Sequence, residues 1–121
     1  MIKLYKSSSK ILKYALTLIP DGTEVVGAYY TVKSDASISD AEAEIFKSIT
    51  NTPNDDGAII DSGADDNTGY VEFYVSPTDA HNMETGRYYF GCVKVLLDND
   101  EMYILEDSIE SVRVFNAGIT L

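Results

Sequence analysis

Apolar and polar side chains alternate one by one in several segments of this chain, and that period decides what it can fold into. Leu12, Tyr14, Leu16 and Leu18 interleave with Lys13, Ala15 and Thr17 before the turn residues Pro20-Asp21-Gly22. Ala28, Tyr30 and Val32 interleave with Tyr29, Thr31 and Lys33. Val71, Phe73 and Val75 interleave with Tyr70, Glu72 and Tyr74, between Gly69 and Pro77. Successive side chains of a strand point to opposite faces, so each segment predicts a strand with one buried face. Helices would need apolar spacing of three and four, which these segments lack.

Arg87–Leu97 predicts the strongest strand, with Tyr88 and Phe90 on one inward face. Continuing that register would bury Lys94, so a bulge is expected near Gly91-Cys92, turning Val93, Val95 and Leu97 inward. Asp98-Asn99-Asp100-Glu101 predicts a short connection to an antiparallel strand at Met102–Glu106. Val112, Val114 and Phe115 predict a last strand. Ser37–Thr50 reads in two ways. Ser37-x-x-Asp40 followed by alanines and glutamates suits a short helix. Ile45, Lys47 and Ile49 on one face suit a strand, which is the preferred reading. Ala58–Asp61 predicts a brief strand and Thr78–Met83 a single helical turn.

Seven or eight short strands at roughly 10-residue spacing describe an all-β antiparallel sandwich, with a small barrel as the alternative. The 121 residues suffice for one domain with a core of its own. Residues 1–9 read as a basic N-terminal arm, strand or extended or else a disordered tail, and residues 10–121 as the sandwich.

Composition excludes several functions. Twenty acidic against nine basic side chains give a formal charge of −11. Such a chain lacks the basic footprint of nucleic-acid binding and is repelled by anionic membrane surfaces. No apolar run is long enough to span a membrane. Lys3, Lys6 and Lys10 precede the apolar stretch 11–19, but Lys13 breaks it and no small-residue cleavage site follows, so no cleaved signal is expected. One cysteine and one histidine can form neither an internal disulfide nor a Cys/His zinc site. No cofactor or metal is expected.

Ile59-Ile60-Asp61-Ser62-Gly63-Ala64 is similar to the apolar-apolar-Asp-Thr/Ser-Gly-Ala signature of retroviral-type aspartic proteases. That chemistry needs two carboxylates sharing one proton, and a chain of this size would dimerise to supply the second. The later apolar pair with Gly-Arg is missing, so an ordinary turn is the preferred reading. His81 lies in a polar stretch outside any nucleophile motif, and Cys92 reads as a small buried hydrophobe. The acidic clusters at Asp55-Asp56, Asp65-Asp66 and Asp98–Glu101 lack the spacing of a calcium loop. No catalytic residue is expected.

Nine tyrosines stand out. Tyr29, Tyr70, Tyr74 and Tyr89 are expected on outward strand faces, where aromatic side chains suit a protein–protein interface or, alternatively, a glycan platform. Charge is also unevenly placed. Lys3, Lys6, Lys10 and Lys13 precede the first acid, Asp21, while 48–86 holds eight acids and no base, and 95–112 six acids and no base. A basic first segment on an acidic body is self-complementary, so Lys3, Lys6 and Lys10 are candidate contacts to a neighbouring subunit.

Taken in order, several elements resemble the immunoglobulin-like domain of phage baseplate upper proteins and related short phage virion structural proteins. They are Val25-Val26-Gly27-Ala28 running to Val32-Lys33-Ser34-Asp35, Gly69–Phe73 through Ser76-Pro77-Thr78-Asp79, Gly86-Arg87-Tyr88-Tyr89-Phe90, and Val112-Arg113-Val114 with Ile119-Thr120. The resemblance implies an immunoglobulin-like sandwich and a non-enzymatic structural role in a tailed-phage or prophage virion, at the baseplate, tail, neck or capsid surface. It implies other virion proteins as partners, a homo-oligomer or ring, and assembly in the host cytoplasm. The stalk that follows this domain in longer baseplate proteins is absent from these residues.

Overall fold

The computed structural model describes residues 1–16, 19–60 and 69–116. Eight strands follow in chain order: β1 (Ile2–Tyr5), β2 (Lys10–Ala15), β3 (Val25–Lys33), β4 (Ile45–Thr50), β5 (Gly57–Ile60), β6 (Tyr70–Val75), β7 (Tyr88–Leu97) and β8 (Met102–Phe115). A 3-10 turn (Asp40–Glu42) precedes β4, and one helical turn, α1 (Pro77–Ala80), precedes β7. The strand reading of 45–50 is the observed one. Among the described residues the protease-like Asp61–Ala64, with Asp65-Asp66, Leu18 and Ile119-Thr120, does not appear; these lie outside them.

The strands form a five-stranded sheet of order β1-β8-β7-β3-β4 and a three-stranded sheet of order β2-β6-β5. With β2, β6 and β5 as strands B, E and D, and β8, β7, β3 and β4 as G, F, C and C′, this is an immunoglobulin-type sandwich. All pairs are antiparallel except β1, which runs parallel to the end of β8, Ile2 opposite Val112 and Tyr5 opposite Phe115. The first residues are therefore a strand of the domain, with Ile2 and Leu4 buried in its core.

The inner faces meet through the alternating sets. Ala28, Tyr30 and Val32 of β3, Val71 and Phe73 of β6, Val93, Val95 and Leu97 of β7, and Val112 and Val114 of β8 are fully buried. Tyr30 packs on Phe73 with ring centroids 5.5 Å apart, and the Tyr14 ring lies 6.3 Å from that of Tyr30. An aromatic pair of this kind contributes about 1 kcal/mol beyond the area it buries.

The register of β7 differs from the sequence expectation. Tyr89, Gly91, Val93, Val95 and Leu97 face inward without interruption, so Tyr88 and Phe90 face out. The irregularity sits on the partner strand: Gly91 pairs with Glu110 and Val93 with Leu105, leaving residues 106–109 of β8 opposite Cys92 alone. The buried Ser108 hydroxyl closes this gap, accepting from the Val93 N–H at 2.8 Å and donating to the Leu105 carbonyl. The two strands expected at Met102–Glu106 and Val112–Phe115 are thus one bulged strand. Gly91 keeps the pleat because a side chain has no room there: a Cβ would lie 3.0 Å from Val112 Cγ2 and 3.2 Å from Tyr30 Oη.

Tyr89 shows why the inward register wins. Its ring is buried and its hydroxyl accepts the Glu84 backbone N–H at 2.8 Å, tying the α1–β7 turn to the core. This is the tyrosine corner of immunoglobulin sandwiches, where the inter-sheet disulfide cysteine follows two residues later. Here that position is Gly91, and the Tyr30 phenol fills the space. Cys92 falls one residue out of phase and points to the other side, half-buried rather than in the core.

One ion cluster pins the two sheets together at an end. Lys47, inward on β4 and nearly buried, places Nζ 2.7 Å from Asp79 of α1 and 3.7 Å from Asp56 before β5. Asp79 also accepts from the Ser76 N–H at 2.7 Å, and the Asp79 N–H donates to the Ser76 hydroxyl, completing the capping box of α1. Burial pushes the Asp79 carboxyl up, but Lys47 and the Ser76 donors together hold it below its ordinary value.

Candidate interaction face

The outward face of the five-stranded sheet gathers side chains by register. Ser48, Tyr29, Lys94 and Ile104 form one row across β4, β3, β7 and β8; Lys33, Phe90 and Ser111 form another; Tyr88, Arg113 and Lys3 form a third. Phe46, opposite Thr31, and Met102, opposite Leu96, share the face. Tyr88, Phe90 and Met102 are each more than half exposed, and Phe46 and Ile104 each 46%. Isolated exposed apolar side chains are ordinary, but a contiguous set on one sheet face marks an interaction surface.

Charge on this face runs against that of the chain. The two ammonium groups of Lys33 and Lys94 share one carboxylate, Asp40, at 2.6 Å and 3.1 Å. The Lys33 hydrogen bond first, then that of Lys94, lowers the Asp40 pKa. Arg113 is held by neutral partners: its Nε donates to the Gly86 carbonyl at 3.0 Å, and its guanidinium lies 4.9 Å from the Tyr88 ring centroid and 5.3 Å from that of Phe115. Tyr5 stacks on Phe115 at 5.7 Å and completes this ladder. Among the described residues neither Arg113 nor Lys3 has a carboxylate partner.

Lys94 lies between two shallow hollows. One, about 250 Å³, is lined by Phe90, Cys92, Ile109 and Ala36; the other, about 380 Å³, by Tyr29, Phe46, Ala41 and Met102. The Cys92 thiol in the first is pushed up in pKa by burial, away from the thiolate a nucleophile needs.

The residues singled out in the sequence divide among several places. Tyr29 lies on this face. Tyr70 and Tyr74 lie on the outward face of the other sheet, flanking Glu72 on the central strand β6; Tyr74 donates to Glu72 Oε1 at 2.7 Å, which raises the Tyr74 pKa, and Lys13 sits 5.2 Å over the Tyr70 ring. Tyr89 is not an interface residue, because its phenol is committed to the core. Lys3 is on the large face beside Arg113, while Lys10 donates to the Lys3 carbonyl at 3.1 Å and, like Lys6, has no carboxylate partner among the described residues. His81 caps the end of α1 and is exposed. Among the described residues no three histidine, cysteine or carboxylate side chains gather where they could hold a metal.

Sequence reasoning missed Tyr88, Phe90, Phe46, Ile104 and Arg113. The signal that finds the first two is the uninterrupted inward set 89, 91, 93, 95 and 97, once Gly91 is counted as a core position.

No family model and no curated protein matches the chain. Among solved structures, murine CRIg aligns over 94% of this chain and 91% of its own, at 10% identity and a TM-score of 0.38, a likeness too slight to carry an argument.

Proposed function

We propose that this domain is a non-catalytic structural component of a tailed-phage or prophage virion, working through protein–protein contact. The observation that carries the contact role is the outward face of β1-β8-β7-β3-β4, where exposed aromatic and aliphatic side chains surround Lys33 and Lys94, two cations that share the Asp40 carboxylate. Interface centres are enriched in aromatic side chains and Arg, and rim charges set orientation and approach. A chain of net charge −11 that collects cations on one apolar face presents that face to acidic partners. The virion setting rests on the ordered strand elements of the sequence. Placement at the baseplate, tail, neck or capsid surface would use the same face.

The test is direct. A photoreactive phenylalanine analogue replaces Tyr88 or Phe90, and particles are purified by density gradient from cells carrying the gene. Mass spectrometry is expected to find the chain in the particles, cross-linked through the analogue to further copies of itself or to other particle proteins. Its absence from particles would refute the virion setting. Its presence without cross-links from either position would refute the role of the face.

A further inference from the structure

The two outward faces of the sandwich are complementary to each other. At the centre of the large sheet, β7 presents Lys94 between two mainly apolar hollows, the first also bordered by Lys33 and the second by Asp40. At the centre of the small sheet, β6 presents Glu72 between Tyr70 and Tyr74, at alternate positions of one strand. An apolar–cation–apolar row thus stands on one side of the molecule and an aromatic–anion–aromatic row on the other. The cation is in excess, because Lys33 already satisfies Asp40 at 2.6 Å while Lys94 shares it at 3.1 Å. Among the described residues Glu72 has only the Tyr74 hydroxyl as a side-chain partner, and Lys13, opposite it in the ladder, is turned over the Tyr70 ring instead.

We infer that the occupant of the large face is a second copy of this chain, seated by the outward face of its β2-β6-β5 sheet. Glu72 of one copy meets Lys94 of the next, and Tyr70 and Tyr74 enter the hollows on either side of it. Two sheet faces packed this way lie about 10 Å apart, the spacing already used inside the sandwich. The contact is heterologous, since different faces meet, so it repeats from copy to copy and makes a ring where the rotation closes and a filament where it does not. It rests on the assembly role proposed above and names the partner of that face.

Sedimentation velocity on the full chain at physiological ionic strength tests the inference, up to about 1 mM, the weak end of specific association. The expected result is growth beyond dimers with concentration. Lys94→Glu and Glu72→Lys each bring like charges together and weaken association by roughly 100-fold. Mixed together, the two single variants match at both faces, each supplying the charge the other lacks, so association returns and grows in alternating copies. The double variant Lys94→Glu/Glu72→Lys restores growth, which also shows that both substitutions fold. Should Lys94→Glu alone fail to fold, Lys94→Gln carries the same expectation at about tenfold. A monomeric wild-type chain overturns the inference, as does association untouched by Glu72→Lys or a mixture that never pairs. A monomeric wild-type chain that still cross-links other particle proteins through Phe90 would overturn the stacking alone and leave the assembly role standing.

Discussion

Replacing Lys47 with Met removes the charge that holds the Asp79–Lys47–Asp56 cluster while keeping most of the apolar stem. The Lys47 side chain is 10% exposed, that of Asp79 22% and that of Asp56 36%. Breaking a fully buried ion pair from one side costs roughly 3–5 kcal/mol, because the other charge is left uncompensated. Both carboxylates here keep contact with water, so about half that, roughly 2 kcal/mol, is expected. With a urea m-value near 1.5 kcal/mol/M, the unfolding midpoint should fall by about 1.3 M, and the melting temperature by roughly 8 °C. The effect should also depend on pH. The Asp79 carboxyl is held below its ordinary value of 3.8 in the folded chain. A depressed folded pKa gives stability that is present above the unfolded value and lost as pH falls through the folded one. The gap between wild type and Lys47→Met should therefore be full at neutral pH and close as pH falls below about 4. Equilibrium urea curves at several pH values read both effects. A midpoint shift under about 0.3 M at neutral pH, or a gap that stays constant into acid, would refute the assignment of the cluster as the pin between the sheets.

Three further substitutions separate other parts of the argument. Gly57→Ala should destabilise by about 3 kcal/mol or more, since its Cβ would run into the Glu72 carbonyl at a φ of +155°; a midpoint within error of wild type would show the strand entry is pliant. Tyr89→Phe should cost about 1 kcal/mol in urea unfolding through the lost acceptor for the Glu84 N–H, and an unchanged midpoint would remove the tyrosine corner from the account. Among the described residues the buried Tyr30 hydroxyl makes no well-formed hydrogen bond, its neighbour being the equally buried Tyr14 hydroxyl, and burial raises its pKa, so Tyr30→Phe should leave stability unchanged or raise it by up to about 1 kcal/mol; a loss of that size would show that the Tyr14–Tyr30 contact is a real bond.

What the sequence disclosed follows the strength of its alternation. β2, β3 and β6 are legible because each pairs large apolar residues with polar neighbours at strict period two, and the buried sets Ala28-Tyr30-Val32 and Val71-Phe73-Val75 are the predicted ones. β7 misleads because both of its faces are apolar. Tyr88 and Phe90 look as suited to a core as Tyr89 does, and a register slip of one residue exchanges the faces entirely. What decides is tertiary: the Glu84 N–H that needs an acceptor, and the Tyr30 phenol that excludes a side chain at Gly91. The bulge was expected on the strand containing glycine, but it lies on β8, where the Ser108 hydroxyl fills the interrupted ladder. The candidate face was legible only in part for the same reason, since Tyr29 follows from its own strand while Phe90 and Tyr88 depend on the resolved register. The cation excess comes from Lys94, 54 positions from Asp40 in the chain, joining the carboxylate that the nearby Lys33 already holds, a pairing that no local pattern encodes.

The parallel pairing of β1 with β8 has a consequence for how the chain comes into being. Ile2 and Leu4 precede every other strand of the domain in synthesis, and their partners Val112 and Val114 lie in the strand made last. The seam of the sandwich therefore waits for the final strand, and contacts of such long sequence separation make folding slow. Until that moment Ile2 and Leu4 lack their neighbouring strand and one edge of β7 is unpaired. The ladder Tyr5–Phe115–Arg113–Tyr88 straddles that seam, so this end of the large face exists only on chains whose synthesis has passed residue 115.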